Sequence, residues 1–218
     1  MRSKVVFLIL ISVFIGSSLF FVFFGKMWTD ENWYYAGSVM VAKGFHPFFA
    51  FFSHHNPLYF YIYSVPQYLF GPSLLAARLT SLVFSLGIFI FVYLTSKKLG
   101  GDFAAILSSA CLTLNLFATR HFIYSSYHTL ESLFMVLFFF FLVSDIKEKF
   151  KYFFCTILLL LTYATRYVVD ISLVFIILFF IYMYLVRRTI SVSLRLQLAM
   201  CIGAFVLLIV PYIAIFDQ

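Results

Sequence analysis

The run "VVFLILISVFIGSSLFFVFF", residues 5–24, is twenty consecutive residues without a charge. At about 1.5 Å of rise per residue, a helix of that length crosses a hydrocarbon layer of ~30 Å. Directly after it comes "KMWTDENWYYAG", residues 26–37, which places Asp30 and Glu31 side by side in a chain with only eight acidic residues. The first stretch decides the solvent: it is lipid. The second raises the chemical question, because carboxylates are costly beside a membrane unless they have work there.

The rest of the chain agrees about the solvent. It is 64% hydrophobic and 11% charged, with a mean hydropathy of +1.06, more apolar surface than a water-soluble domain of this size can hide. Long uninterrupted apolar runs, rather than alternating ten-residue segments, select helices over a closed barrel. The fold class is therefore all-α, a polytopic membrane protein. Spans are expected at about 5–25, 79–96, 103–119, 130–144, 152–166, 170–186 and 197–216, seven in all. The first resembles a signal peptide in its flanking Arg2 and Lys4, but it is long and has no small-residue cleavage site, so an uncleaved helix is expected.

The net charge of +7 does not indicate nucleic acid, because the basic residues are scattered at segment ends. With a cytoplasmic N-terminus, ten of the fifteen basic residues fall on the inner side, as the positive-inside rule requires. Asp30 and Glu31 then face outward, and the expected location is the inner or plasma membrane. The three cysteines, Cys111, Cys155 and Cys201, lie in apolar runs and read as small core hydrophobes.

Residues 26–78 form the first extracytoplasmic loop, rich in tyrosine and phenylalanine, with four of the five prolines and three of the five histidines. That composition suits the headgroup layer, where a ring is half buried and half wet. Two interfacial helices are expected, about 30–43 and 57–69. Thr29 or Asp30 would cap the first, and Asn56 with Pro57 would start the second.

On a helix Asp30 and Tyr34 share a face, four residues apart. A carboxylate at a helix N-terminus is held by free amides and the dipole, which describes either a cap or a positioned general base. Other outer turns carry Arg78, then "ATRHFIYSSYHTLE" with Arg120, His121, His128 and Glu131, then Arg166. Carboxylates, histidines and arginines meeting at one interface suit a nucleophile activated by a carboxylate and a phosphate leaving group held by a guanidinium. The histidine spacings fit no metal motif, and hydrogen bonding at the interface is the plainer role.

"DENWYYAGSVMVAKG", "HHNPLYFYIYSVPQYLFGPSLLAARLT", Glu131 and Thr165-Arg166 together resemble, in order and spacing, the N-terminal half of the GT-C glycosyltransferases that use lipid-linked sugars. The branch includes aminoarabinose transferases, protein O-mannosyltransferases and rhizobial core transferases. The resemblance implies a single GT-C-like transmembrane domain over residues 1–218, the N-terminal part of a longer module or one completed by a partner subunit. It implies Asp30, Glu31 and Glu131 as catalytic carboxylates, Asp30 being the base or acceptor-orienting group. Tyr34, His54, His55, Arg78, Arg120, His128 and Arg166 would bind substrate or the donor phosphate. The donor would be a polyprenyl-phosphate sugar, the acceptor a glycan, lipid or protein, the outcome inversion, and a divalent cation is compatible with the carboxylates. The chain departs from the family pattern at Asn56, where a first proline is common, and at Glu131, where aspartate is common. Two other readings stay open: a flippase or transporter component for a lipid-linked sugar, and an inactive fragment or assembly subunit.

Overall fold

The computed structural model describes residues 2–51, 53 and 56–166. Among them are seven helices: α1 Arg2–Phe24, α2 Thr29–Ala42, α3 Leu58–Phe70, α4 Leu74–Leu114, α5 Leu116–Ile123, α6 Tyr127–Leu142 and α7 Glu148–Thr165. The described residues form no strand beyond an isolated bridge between Pro47 and Phe51. The all-helical class stands.

The number of spans differs from the sequence expectation. Among the described residues two helices are long and apolar enough to cross a membrane, Ser3–Phe24 and Leu74–Leu114. A third candidate is the pair α5–α6, bent by 108° at its break. The count of seven is not supported, and helix length is the reason. α6 has 16 residues and the apolar part of α7 is only Phe153–Thr165, about 20–24 Å of rise against ~30 Å of hydrocarbon. The expected spans at 170–186 and 197–216 lie outside the described residues.

α4 is not one straight rod. Its Arg78 Nη1 lies 3.2 Å from the carbonyl of Val22, while its Thr113 hydroxyl lies 3.5 Å from that of Leu10. In a straight helix Arg78 and Thr113 would be roughly 50 Å apart, yet Val22 and Leu10 are only about 18 Å apart along α1. The chain therefore doubles back at Gly100–Gly101, where the helical backbone breaks and Gly101 takes φ +71°. That left-handed conformation is open to glycine at little cost. The limb 74–99 runs antiparallel to α1, with the Tyr93 ring tilted against that of Phe7 at 4.2 Å, and the limb 102–114 runs parallel to it. The expected spans 79–96 and 103–119 fall on these two limbs, the second interrupted at Asn115, whose side chain caps α5 by accepting from the Ala118 amide.

The two short helices of the first loop are where the aromatic pattern puts them, within a residue or two. Their starts differ from expectation. Trp28 occupies the N-cap of α2 without a side-chain bond, so neither Thr29 nor Asp30 caps it. Pro57 is the N-cap of α3, and the Asn56 amide instead donates to the Tyr163 carbonyl of α7. That bond anchors the loop to a distant helix, a stronger demand on a buried amide than a local cap. Cys155 is buried against Phe138, as a core residue should be, but Cys111 is exposed.

α2 buries Glu31, Tyr34, Gly37 and Ser38, a stripe at helical spacing. Opposite, α3 buries Tyr59, Phe60, Tyr63 and Gln67. The tyrosines pack as large apolar bodies while their hydroxyls find partners, Tyr59 with the Ser125 hydroxyl at 2.7 Å and Tyr63 with that of Ser81 at 2.8 Å. Gly37 allows the two helices to meet. A Cβ there would lie 2.4 Å from Cε1 of Phe60, a ring with no exposed surface. Gly37→Ala is expected to lower stability by about 1–3 kcal/mol through overpacking, seen as a lower Tm in detergent, while Gly16→Ala, where the new methyl meets nothing within 4 Å, should leave it unchanged.

Candidate functional site

The site is organised around Glu31. The first turn of α2 carries its carboxylate inward, where its side chain has no exposed surface. Arg78, in the first turns of α4, meets it in a fork: Nε donates to Oε1 and Nη2 to Oε2, both at 2.7 Å. The third nitrogen, Nη1, donates to the carbonyls of Gly25 at 2.8 Å, Val22 at 3.2 Å and Phe21 at 3.4 Å. The Val22 carbonyl is among those a helix leaves unpaired at its C-terminus, that of Phe21 also accepts from the Gly25 amide, and that of Gly25 lies just beyond the last turn, so Arg78 closes α1 as well. The amide of Ser125, in the elbow between α5 and α6, donates to Glu31 Oε1 at 3.3 Å. One ion pair thus joins α1, α2, α4 and the elbow. Every nitrogen of Arg78 is used inside the protein.

Asp30 faces the other way and is exposed. Consecutive helical residues point about 100° apart, so burial of Glu31 turns its neighbour outward to the edge of the buried stripe. Tyr34 lies beside it. Burial drives the Tyr34 hydroxyl far above its ordinary pKa, and the neighbouring Tyr127 and the negative charge of Asp30 push the same way, while the positive charge of Arg166 opposes them. Tyr34 stays neutral and hydrogen-bonds Tyr127, whose ring stands perpendicular to its own at 5.0 Å. Asp30 and Arg166 therefore act on one hydroxyl, although 136 positions separate them in sequence.

Arg166 caps the C-terminus of α7. Its guanidinium lies over the Tyr127 ring at 4.8 Å and its Nη1 reaches Glu131 Oε2 at 3.4 Å. Its Nε is buried without a hydrogen-bond partner. A buried donor left unpaired is costly, and an anion oxygen would satisfy it. Arg120 is different again: it is exposed, its Nε donates to the Tyr124 hydroxyl, and that hydroxyl donates to the Lys26 carbonyl at 3.1 Å. His128 packs on Tyr127 at 4.1 Å and stands 6.0 Å from His121.

Of the site residues expected from sequence, the structure brings Tyr34, Arg166 and, through Arg166, Glu131 together around Tyr127, with Asp30 exposed one helical turn before Tyr34. It pairs Glu31 with Arg78 in the interior. Arg120 and His128 lie on an adjoining surface with His121. His54 and His55 lie outside the described residues. The described residues hold no group of three or more histidine, cysteine or acidic side chains able to ligate a metal. Sequence reasoning missed Tyr124, Ser125 and Tyr127; the available signal was "YSSYH", a polar pair between two tyrosines breaking an apolar run. No family model, curated protein or solved structure matches the chain.

Removing one member of a buried pair strands the other's charge, at about 3–5 kcal/mol, whereas removing both can be much milder. Glu31→Ala and Arg78→Met are each expected to lower the melting temperature sharply. The double variant should be no worse than the milder single one. Additive losses in thermal melts of the detergent-purified chain would mean that the two residues do not act as a unit.

Proposed function

We propose that the chain is a membrane glycosyltransferase of the GT-C kind, moving a sugar from a polyprenyl-phosphate donor to an acceptor hydroxyl on the extracytoplasmic side. One observation carries the reading: an exposed aspartate lies one helical turn before Tyr34, whose ring meets that of Tyr127 at 5.0 Å, and a half-buried arginine lies 4.8 Å over that same Tyr127 ring, with the aspartate fixed by the anchored residue next to it. Asp30 takes the proton of the acceptor hydroxyl as its oxygen attacks the anomeric carbon. The bond from that carbon to the phosphate oxygen breaks, and the lipid phosphate leaves with the electron pair. Arg166 neutralises the charge that develops on it. Attack from the face opposite the phosphate inverts the anomeric centre.

In this reading Glu31 and Arg78 form the frame that aims Asp30. Glu131 and Tyr127 orient Arg166, one by charge and the other by its ring face. Tyr34, kept neutral by burial, is a hydrogen-bonding spacer between the two charged groups rather than a base. The distribution of basic residues supports the outward orientation. Lys97, Lys98, Asp102 and Asp145 meet in ion pairs of 2.8 and 3.0 Å, and Asp102 contacts Ser3 at the start of α1. Arg78 and Asp30 gather at the other end of α1. The basic turns and the candidate site thus occupy opposite ends of the first span, as a cytoplasmic N-terminus requires.

Membranes containing the chain, supplied with a polyprenyl-phosphate sugar and acceptor lipids, glycans or peptides, are expected to transfer the sugar. Asp30→Asn should lower the rate at least a hundredfold, the scale of a lost general base, with the melting temperature unchanged. Arg166→Gln should slow transfer with Asp30 intact. Undiminished transfer by Asp30→Asn would remove the catalytic assignment, and flipping of the donor without transfer would point to transport.

A further inference from the structure

Beside the candidate site, three segments bring five residues together: Lys26 and Trp28 from the α1–α2 connection, Arg120 and His121 from the end of α5, and His128 from the first turn of α6. They form a continuous patch. Trp28 stands 5.0 Å from His121, and His121 stands 6.0 Å from His128. The backbone of Lys26 and the side chain of Arg120 share one hydroxyl, that of Tyr124, a residue only 2% exposed. The Arg120 guanidinium also rests 5.2 Å from the centroid of that ring. An arginine serving only as a membrane anchor would extend freely to water; this one is tied at Nε, which fixes where its remaining nitrogens can go.

The charge is uncompensated. Ion pairs among the described residues engage Arg78, Lys97, Lys98 and Arg166. Lys26 and Arg120 belong to none of them, and both are exposed. Next to these cations the surface turns apolar: Phe20, Phe23 and Phe24 at the end of the first span, and Phe117 on α5, are 58%, 59%, 73% and 71% exposed. A free anion has no use for such a wall, whereas acyl chains do.

We infer that this patch docks the phosphate headgroup of a membrane lipid. Arg120 and Lys26 take the phosphate oxygens by charge-assisted hydrogen bonds, His121 and His128 add imidazole donors, and Trp28 lies at the headgroup level where indole is at home. The acyl chains run along Phe20, Phe24 and Phe117. The site is separate from Arg166, whose guanidinium is engaged by Glu131 and Tyr127. It does not depend on glycosyl transfer: a lipid held here is a structural or substrate lipid alike.

The test uses the whole chain in nanodiscs of phosphatidylcholine with a small fraction of dansyl-labelled phosphatidic acid. The chain has two tryptophans, so Trp33→Phe leaves Trp28 as the only energy donor. Transfer from Trp28 to dansyl-phosphatidic acid is expected to exceed transfer to dansyl-phosphatidylcholine at equal content. Arg120→Gln and Lys26→Gln should each weaken the apparent affinity roughly tenfold, the scale of one charge-assisted contact. Arg120→Lys should retain most of it, and Lys43→Gln, an exposed lysine at the far end of α2, should change nothing. Near-ultraviolet circular dichroism checks that each variant is folded. Equal transfer to both lipids, or full binding by folded Arg120→Gln, overturns the proposal, and displacement by millimolar inorganic phosphate overturns the commitment to a lipid. Asp30→Asn should bind like the wild type, so failure of this site and failure of the transferase reading give different results.

Discussion

The fork between Glu31 and Arg78 is the constraint on which the rest of the described structure depends. Two buried charges carry a heavy desolvation cost, and only complete pairing offsets it. Here the carboxylate accepts both arms of the guanidinium and a backbone amide, while the guanidinium also satisfies carbonyls at the end of α1. Those bonds come from four separate segments, so none can shift alone. The end of α1, the start of α2, the start of α4 and the α5–α6 elbow are fixed relative to one another by a single ion pair. Adjacent acidic residues at the membrane exit then have a physical explanation. The second is buried to hold the frame, and helical geometry leaves the first at the surface, rigidly placed and open to a substrate.

Some of this was legible in the sequence. The aromatic, proline-rich loop gave two short helices, because Pro57 and the change from continuous to mixed hydrophobicity mark their ends. The apolar run 5–24 gave α1, and the charged gap between the expected spans 79–96 and 103–119 gave the turn in α4. The caps of α2 and α3 were not legible. A capping residue is inferred from local preference, whereas Asn56 is held by a carbonyl more than a hundred positions away. The number of spans failed for a related reason: an apolar run states that a segment avoids water but not whether the helix built from it is long or straight enough to cross. Arg78 stood out as a costly residue, but nothing in its sequence neighbourhood named Glu31 as partner. Tyr127 was hidden altogether, because its part is to be a surface against which Tyr34 and Arg166 both pack, and a packing surface has no motif.

The three arginines at this end of the molecule are chemically distinct, although the sequence presents them as equals. Arg78 is saturated by a carboxylate and by helix-end carbonyls; it has no capacity left for a ligand without dismantling α1. Arg120 is oriented by a tyrosine but has no counterion among the described residues. Arg166 lies between these extremes, with a longer contact to Glu131 at 3.4 Å, a ring beneath it and a buried Nε still unpaired. A guanidinium held mainly by a π-face and one stretched ion pair can turn toward a stronger anion when one arrives, because a phosphate offers short charge-assisted bonds in place of a long one. The frame and the responsive group therefore have to be different residues. A cation rigid enough to hold four segments together cannot also follow a charge that grows during a reaction, and in the proposed transfer those two tasks fall to Arg78 and Arg166 respectively, with Tyr34 and Asp30 between them.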